Sequence, residues 1–137
     1  MAYWLFKEEP DHYSLEDLFR DKRTTWAGVE NNLALKHLRS VKKGDHVLYY
    51  HTGKEKSVVG VVEVVKGPYP DPARDDDRFV VVDVKPIRRL DRPVSLAEIK
   101  ANSKFADFAL VRISRLSVMP VSDAEYAEIE RLSKQAS

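Results

Sequence analysis

The 137-residue chain is 43% hydrophobic and 33% charged, enough apolar side chain for one folded domain of 137 residues and too much for a disordered segment. It has no cysteine, which excludes disulfides, thiolate metal sites and a cysteine nucleophile, and its four histidines, His12, His37, His46 and His51, lack metal-ligand spacing, so no metal or cofactor is expected. The net charge of +1 excludes a strongly basic binder but conceals alternating blocks: −3 over 1–30, +4 over 31–56, −3 over 57–84, +5 over 85–115 and −2 beyond.

The N-terminal MAYWLFKEEP turns acidic too early for a signal peptide, and no apolar run approaches the ~20 residues that span a bilayer. A cytoplasmic protein with no membrane partner is expected. Aromatic and apolar residues over 2–7 predict a first strand, ended by Pro10. Ser14 caps a short helix running to about Arg20. Trp26 falls at a strand-to-loop boundary, and Ala34, Leu35, Leu38 and Val41 recur at helical intervals from Asn31, with Gly44 as the stop.

Strands are predicted at 46–50 and 57–65, joined by a turn with a basic tip. The proline-dense 67–72 segment reads as a stiff loop, continued by a charged stretch to Arg78. A strand over 79–85 is interrupted or bulged at Pro86, and pairing resumes over 87–90. Ser95/Glu98 and Ser122/Glu125 are capping boxes that open two helices, and the second carries Tyr126, Ile129 and Leu132 on one face. A last strand is placed at 116–119, and fraying is expected beyond Lys134. Short strands and short helices without a βαβ rhythm indicate an α+β domain on a strongly bent sheet or small barrel.

A site that reads a base needs a flat apolar surface, polar groups for the base edge and cations for phosphate. Trp26 offers the surface, although a tryptophan is more often a core residue. Tyr49 and Tyr50 alternate to opposite faces, so only one can share a pocket with His51. In the Lys7–Pro10 segment a carboxylate can accept from an exocyclic amine. Asn31 is either a helix cap or an amide for a base edge, and Arg112, Arg115 and Ser117 offer phosphate and hydroxyl contacts. No GxSxG, P-loop or GxGxxG motif occurs. The competing readings are a nucleotide- or nucleoside-processing enzyme using His51, and a protein-interaction adaptor docking through 67–72.

Taken in order, YWLFKEEP at 3–10, Trp26-x-Gly28-Val29-x-Asn31, LYYHT at 48–52, GVVEVV at 60–65, PYPDP at 68–72, RPVSLAEIK at 92–100 and LVRISRLSVMPVS at 110–122 resemble the EVE-domain family. This family is related to YTH and ASCH domains in the PUA-like superfamily. The resemblance implies a PUA-like mixed β-barrel with flanking short helices. It also implies a reader, not an enzyme, that takes a flipped or unpaired modified base into an aromatic pocket. The bases implied are 5-methyl- or 5-hydroxymethylcytosine in DNA, or a modified base in RNA. With no fused effector, any downstream action would need an effector protein. Matched to the family's motifs and the reading above, the base pocket comprises Lys7, Glu9, Pro10, Trp26, Gly28, Val29, Asn31, Tyr49, His51, Leu116 and Ser117. Lys36, Arg39, Arg112 and Arg115 are the expected phosphate contacts. Glu8, Ala27, Glu30 and Asn32 depart from the family pattern, which puts the identity of the base in question.

Overall fold

The computed structural model describes residues 1–135. Its centre is a six-stranded sheet in the order β2-β5-β4-β3-β1-β6. The strands are β1 (Tyr3–Glu8), β2 (Thr24–Trp26), β3 (His46–His51), β4 (Ser57–Pro70), β5 (Val80–Ser95) and β6 (Val118–Val121). β1 and β3 run parallel, and every other neighbouring pair is antiparallel. The parallel pair is possible because a long crossover of α1 (Leu15–Asp21), β2 and α2 (Asn32–Ser40) separates the two strands.

The expected barrel does not close: β2 and β6, the two ends of the sheet, are not hydrogen-bonded to each other. Both are short, three and four residues. Helix α2 packs against β6, β5 and β4, burying Ala34, Leu35 and Leu38, so a helix covers the interior where a ladder would otherwise have continued. Register shifts at four places between β4 and β5 bend the two long strands.

The capping signals set the helices as expected. Ser14 forms a capping box with Asp17, Ser95 with Glu98 and Ser122 with Glu125, opening α1, α3 (Leu96–Lys100) and α5 (Asp123–Ser133). Asn31 accepts from the Ala34 amide and caps α2. That helix stops at Val41, before Gly44, because Asp45 takes over the next donors. The Asp45 carboxylate, 4% exposed, accepts from the Lys42 amide at 2.9 Å, the Ala2 amide at 3.0 Å and the Trp4 indole N–H at 2.9 Å. One buried acid thus fixes the N-terminus, β1 and the entry to β3.

Two expectations are corrected, and a third is decided between its alternatives. The 67–72 segment is not a stiff loop, since β4 continues through Pro70. β3 pairs with β4 only as far as Glu63, so Pro68 and Pro70 lie where β4 has β5 as its single partner and a missing N–H leaves no bond unmade. At Pro86 the second of the two expected alternatives holds: β5 is bulged and not interrupted, with Pro86 at a register shift opposite Val62 and pairing continued at Arg88 and Arg89. The last strand is Val118–Val121, two residues later than expected. The chain before it forms α4 (Ala109–Arg112) and a turn in which the Leu116 amide donates to the Ile113 carbonyl. The fraying expected beyond Lys134 falls, past Gln135, outside the described residues. Among the described residues no helix is long and apolar enough to cross a membrane.

Candidate functional site

At the C-terminal ends of β1 and β2 lies a cavity of about 210 Å³, lined by Glu8, His12, Tyr13, Thr24, Thr25, Trp26 and Ala27. Trp26 ends β2 with its ring against Phe6, 5.3 Å between centroids, and edge-on to Tyr49 at 5.4 Å and 88°. It is only 7% exposed, so it belongs both to the core and to the cavity wall. Tyr49 stands behind it, wholly buried, and its hydroxyl donates to the Tyr13 carbonyl. Burial pushes the Tyr49 hydroxyl far above the usual phenol range, so it stays a donor.

The polar wall begins with Glu8. One carboxylate oxygen accepts from the Glu9 amide at 2.9 Å and the other lies 3.1 Å from His12 Nδ1, which leaves acceptor capacity facing the cavity. The Thr25 hydroxyl donates to Asp83 Oδ1 at 2.9 Å, as does the Tyr69 hydroxyl at 2.6 Å, while Arg23 holds Oδ2 at 2.8 Å. These three donors outweigh the effect of burial and keep the Asp83 carboxyl below its ordinary range. β2 is thereby fixed against β5 with Thr25 and Trp26 in place. The loop at 9–13 is set by the Glu9 carbonyl, which accepts from the amides of His12 and Tyr13.

Period-2 alternation separates the residues expected to share one pocket. Lys7 and Tyr50 are register partners on β1 and β3, as are Phe6 and Tyr49, and the two pairs point to opposite faces. Lys7 and Tyr50 therefore line a different cavity. His51 lines neither: its Nε2 accepts from the Leu15 amide at 3.1 Å, which leaves Nδ1 as the protonated nitrogen, 3.1 Å from Glu55 Oε1. With Nε2 engaged in seating α1 and Nδ1 held by Glu55 of the β3–β4 turn, neither is available as a general base. Leu116 and Val29 are core residues, and Ser117 contributes its carbonyl to the Lys7 amide at 2.9 Å.

Glu9 and Pro10 follow Glu8 in the chain but do not line the cavity, and Glu9 is exposed. Gly28, at φ +82, turns the chain just past Ala27 in a conformation that favours glycine. Of the expected phosphate contacts, all four are exposed. Arg39 donates to the Arg78 carbonyl at 2.9 Å, and Arg112 to the Ala106 carbonyl at 3.3 Å. Of the seven lining residues only Trp26 is among the expected pocket residues; Glu8, His12, Tyr13, Thr24, Thr25 and Ala27 are not. The strand-end position of Glu8, on the same face as Phe6, is the signal that would have found it.

A sequence model of the EVE domain matches residues 2–132. The chain belongs to the EVE domain family. Human thymocyte nuclear protein 1 is 30% identical over 159 aligned positions, covering 91% of this chain and 71% of that protein. A Rhodopseudomonas palustris protein solved by NMR is 38% identical, with a TM-score of 0.92 over 97% of this chain and 93% of its own. The crystal structure of human THYN1 in complex with DNA containing 5-methylcytosine superposes with a TM-score of 0.92 at 27% identity, covering 100% of both chains. The described fold, a mixed six-stranded sheet with five short helices, matches that structure without closing into a barrel.

Proposed function

We propose that this chain is a DNA-binding module that takes an unstacked cytosine-type base, modified at carbon 5, into the cavity beside Trp26. The observation that carries this reading is the match, over the whole of this chain, to the crystal structure of human THYN1 in complex with 5-methylcytosine-containing DNA. The cavity's chemistry supports it. Cytosine presents an exocyclic amine where thymine presents a carbonyl, and a carboxylate accepts from the first and repels the second. Glu8 supplies that carboxylate, while Trp26 and Ala27 give an apolar wall for a ring and its methyl group. No chemical step is involved. Unstacking costs a few kcal/mol, and stacking, typically about 1–3 kcal/mol per base, must be joined by polar contacts to offset it. Burying a methyl adds only about 0.8 kcal/mol, so the amine rather than the methyl carries most of the discrimination.

Fluorescence anisotropy with short DNA carrying one cytosine, 5-methylcytosine, 5-hydroxymethylcytosine or thymine tests this directly, and the same series in RNA compares the two backbones. The 5-methylcytosine and thymine probes share the methyl and differ at the amine. The protein should prefer the former by about tenfold, the worth of one good base-edge contact. Glu8→Gln, whose amide can also donate to a carbonyl, should erase that preference. Equal binding of all four probes by the unaltered protein would overturn the reading.

A further inference from the structure

On the other face of the β1/β3 ladder lies a second cavity of about 280 Å³. Lys7 and Tyr50 form its floor, and Leu96 of α3 with Leu110 and Val111 of α4 form an apolar wall. Lys56 and Lys100, with Thr52, Gly53 and Ser114, complete the lining, to which no carboxylate contributes. This contrasts with a surface on which opposite charges are widely paired. Neither Lys56 nor Lys100 has an ion-pair partner among the described residues, and Glu55, beside Lys56 in sequence, is engaged by His51.

The Lys7 ammonium is half-buried and donates to the Ser114 carbonyl at 2.8 Å, with burial lowering its pKa, so an anion placed there would favour its charged form. Lys56 is held at φ +45, rare for a residue with a Cβ, because its carbonyl accepts from the Leu96 amide at 2.8 Å. That bond fixes the turn from which its side chain reaches the cavity.

Tyr50 points most directly to a ligand. It is only 3% exposed, yet its hydroxyl has no hydrogen-bond partner among the described residues. No fully buried side-chain oxygen or nitrogen there lacks a partner, so the hydroxyl must be the part of Tyr50 that reaches the cavity. Burial pushes its pKa up to about 12, which keeps it a donor.

We propose that this cavity is a second binding site, taking a phosphate ester between Lys7, Lys56 and Lys100. The Tyr50 hydroxyl donates to one phosphate oxygen, and the ester's organic part lies against Leu96, Leu110 and Val111. Three ammonium groups from β1, the β3–β4 turn and α3 suit a tetrahedral anion with several oxygens. A planar carboxylate would favour the fork of an arginine, and none lines the cavity. The volume, just below the roughly 300–1,000 Å³ of small-molecule pockets, admits one nucleotide-sized group. The ester can come from a free nucleoside monophosphate or from the phosphodiester of a bound strand. The site lies on the opposite face from the Trp26 cavity and does not depend on base reading there.

The test is amide-resolved NMR titration of the whole chain with cytidine 5′-monophosphate, with cytidine, and with a single-stranded DNA hexamer. Cytidine 5′-monophosphate should shift the amides of Tyr50, Thr52, Gly53 and Leu110 saturably, and cytidine should not. Affinity should fall about tenfold or more in Lys56→Ala/Lys100→Ala, two exposed positions, and about threefold or more in Tyr50→Phe, as loss of charge-assisted hydrogen bonds implies. If only the hexamer shifts these amides, and the double variant abolishes the shifts, the site serves the phosphate of a strand. If neither ligand shifts them, or the double variant responds like the unaltered protein, the proposal is overturned.

Discussion

Trp26 holds the strand end together and forms part of the cavity wall, so removing it changes two properties at once. Its ring fills the space between Phe6 and Tyr49 and is 7% exposed. Trp26→Ala should therefore cost about 3–5 kcal/mol of folding stability, read as a fall in the urea midpoint, before any effect on binding is considered. Trp26→Phe keeps an aromatic ring in the core and should lose markedly less stability while still weakening binding of a modified base. Equal midpoints for Trp26→Ala and the unaltered protein would show that the ring is not packed as described. Sequence alone left both a core and a pocket role open for this residue, the core role being the commoner one for tryptophan. The structure shows why: a strand end abutting a cavity lets one side chain do both.

Among the elements, the capped helices were the most legible, because each capping box is a local pattern in which a hydroxyl and a carboxylate three positions apart satisfy each other's ends. The strands were less so. Whether Pro68 and Pro70 can sit in a strand depends on which side of β4 has a neighbour, and that is decided by β3 ending its pairing at Glu63. Electrostatics also fix how α5 docks. Glu128, 5% exposed, accepts from Arg131 at 2.8 and 2.7 Å and from Asn102 at 2.6 Å, and these bonds, Arg131 first, hold its carboxyl down at about 2. Glu98 is likewise held at about 2, chiefly by Arg92, whose guanidinium also donates to the Leu132 carbonyl of α5 at 2.9 Å. A folded pKa below the ordinary 4.5 means that this stabilisation is complete above pH 4.5 and is lost as pH falls toward about 2. The urea midpoint should drop across that window. Glu128→Gln should be less stable than the unaltered protein at neutral pH and lose less on acidification, leaving the part due to Glu98, Asp83 and the other carboxyls held below their ordinary range. An unchanged acid slope would place the pH sensitivity elsewhere.

For the whole molecule, the family pattern extended from end to end and the fold followed from it, but the grouping of site residues did not. Motif positions adjacent in sequence are divided by the sheet: Lys7 and Glu8 line different cavities, and Tyr50 lines the second cavity while Tyr49 is buried behind Trp26. The net charge of +1 sets a further limit: a strand can be held by few cations. Lys36, Arg39, Arg112 and Arg115 are exposed, and Arg39 and Arg112 already donate to backbone carbonyls. If all four meet phosphates of a single strand, the logarithm of affinity should fall with that of salt at a slope of about −3, since each contact contributes about −0.7. Lys36→Ala/Arg115→Ala removes two contacts and should flatten the slope by about 1.4. Phosphates carry no base identity, so the ratio of affinities for 5-methylcytosine and thymine probes should stay the same. A changed ratio with an unchanged slope would mean that these cations act on the base cavity. A slope and ratio both unaltered would move the strand's path to another face of the protein.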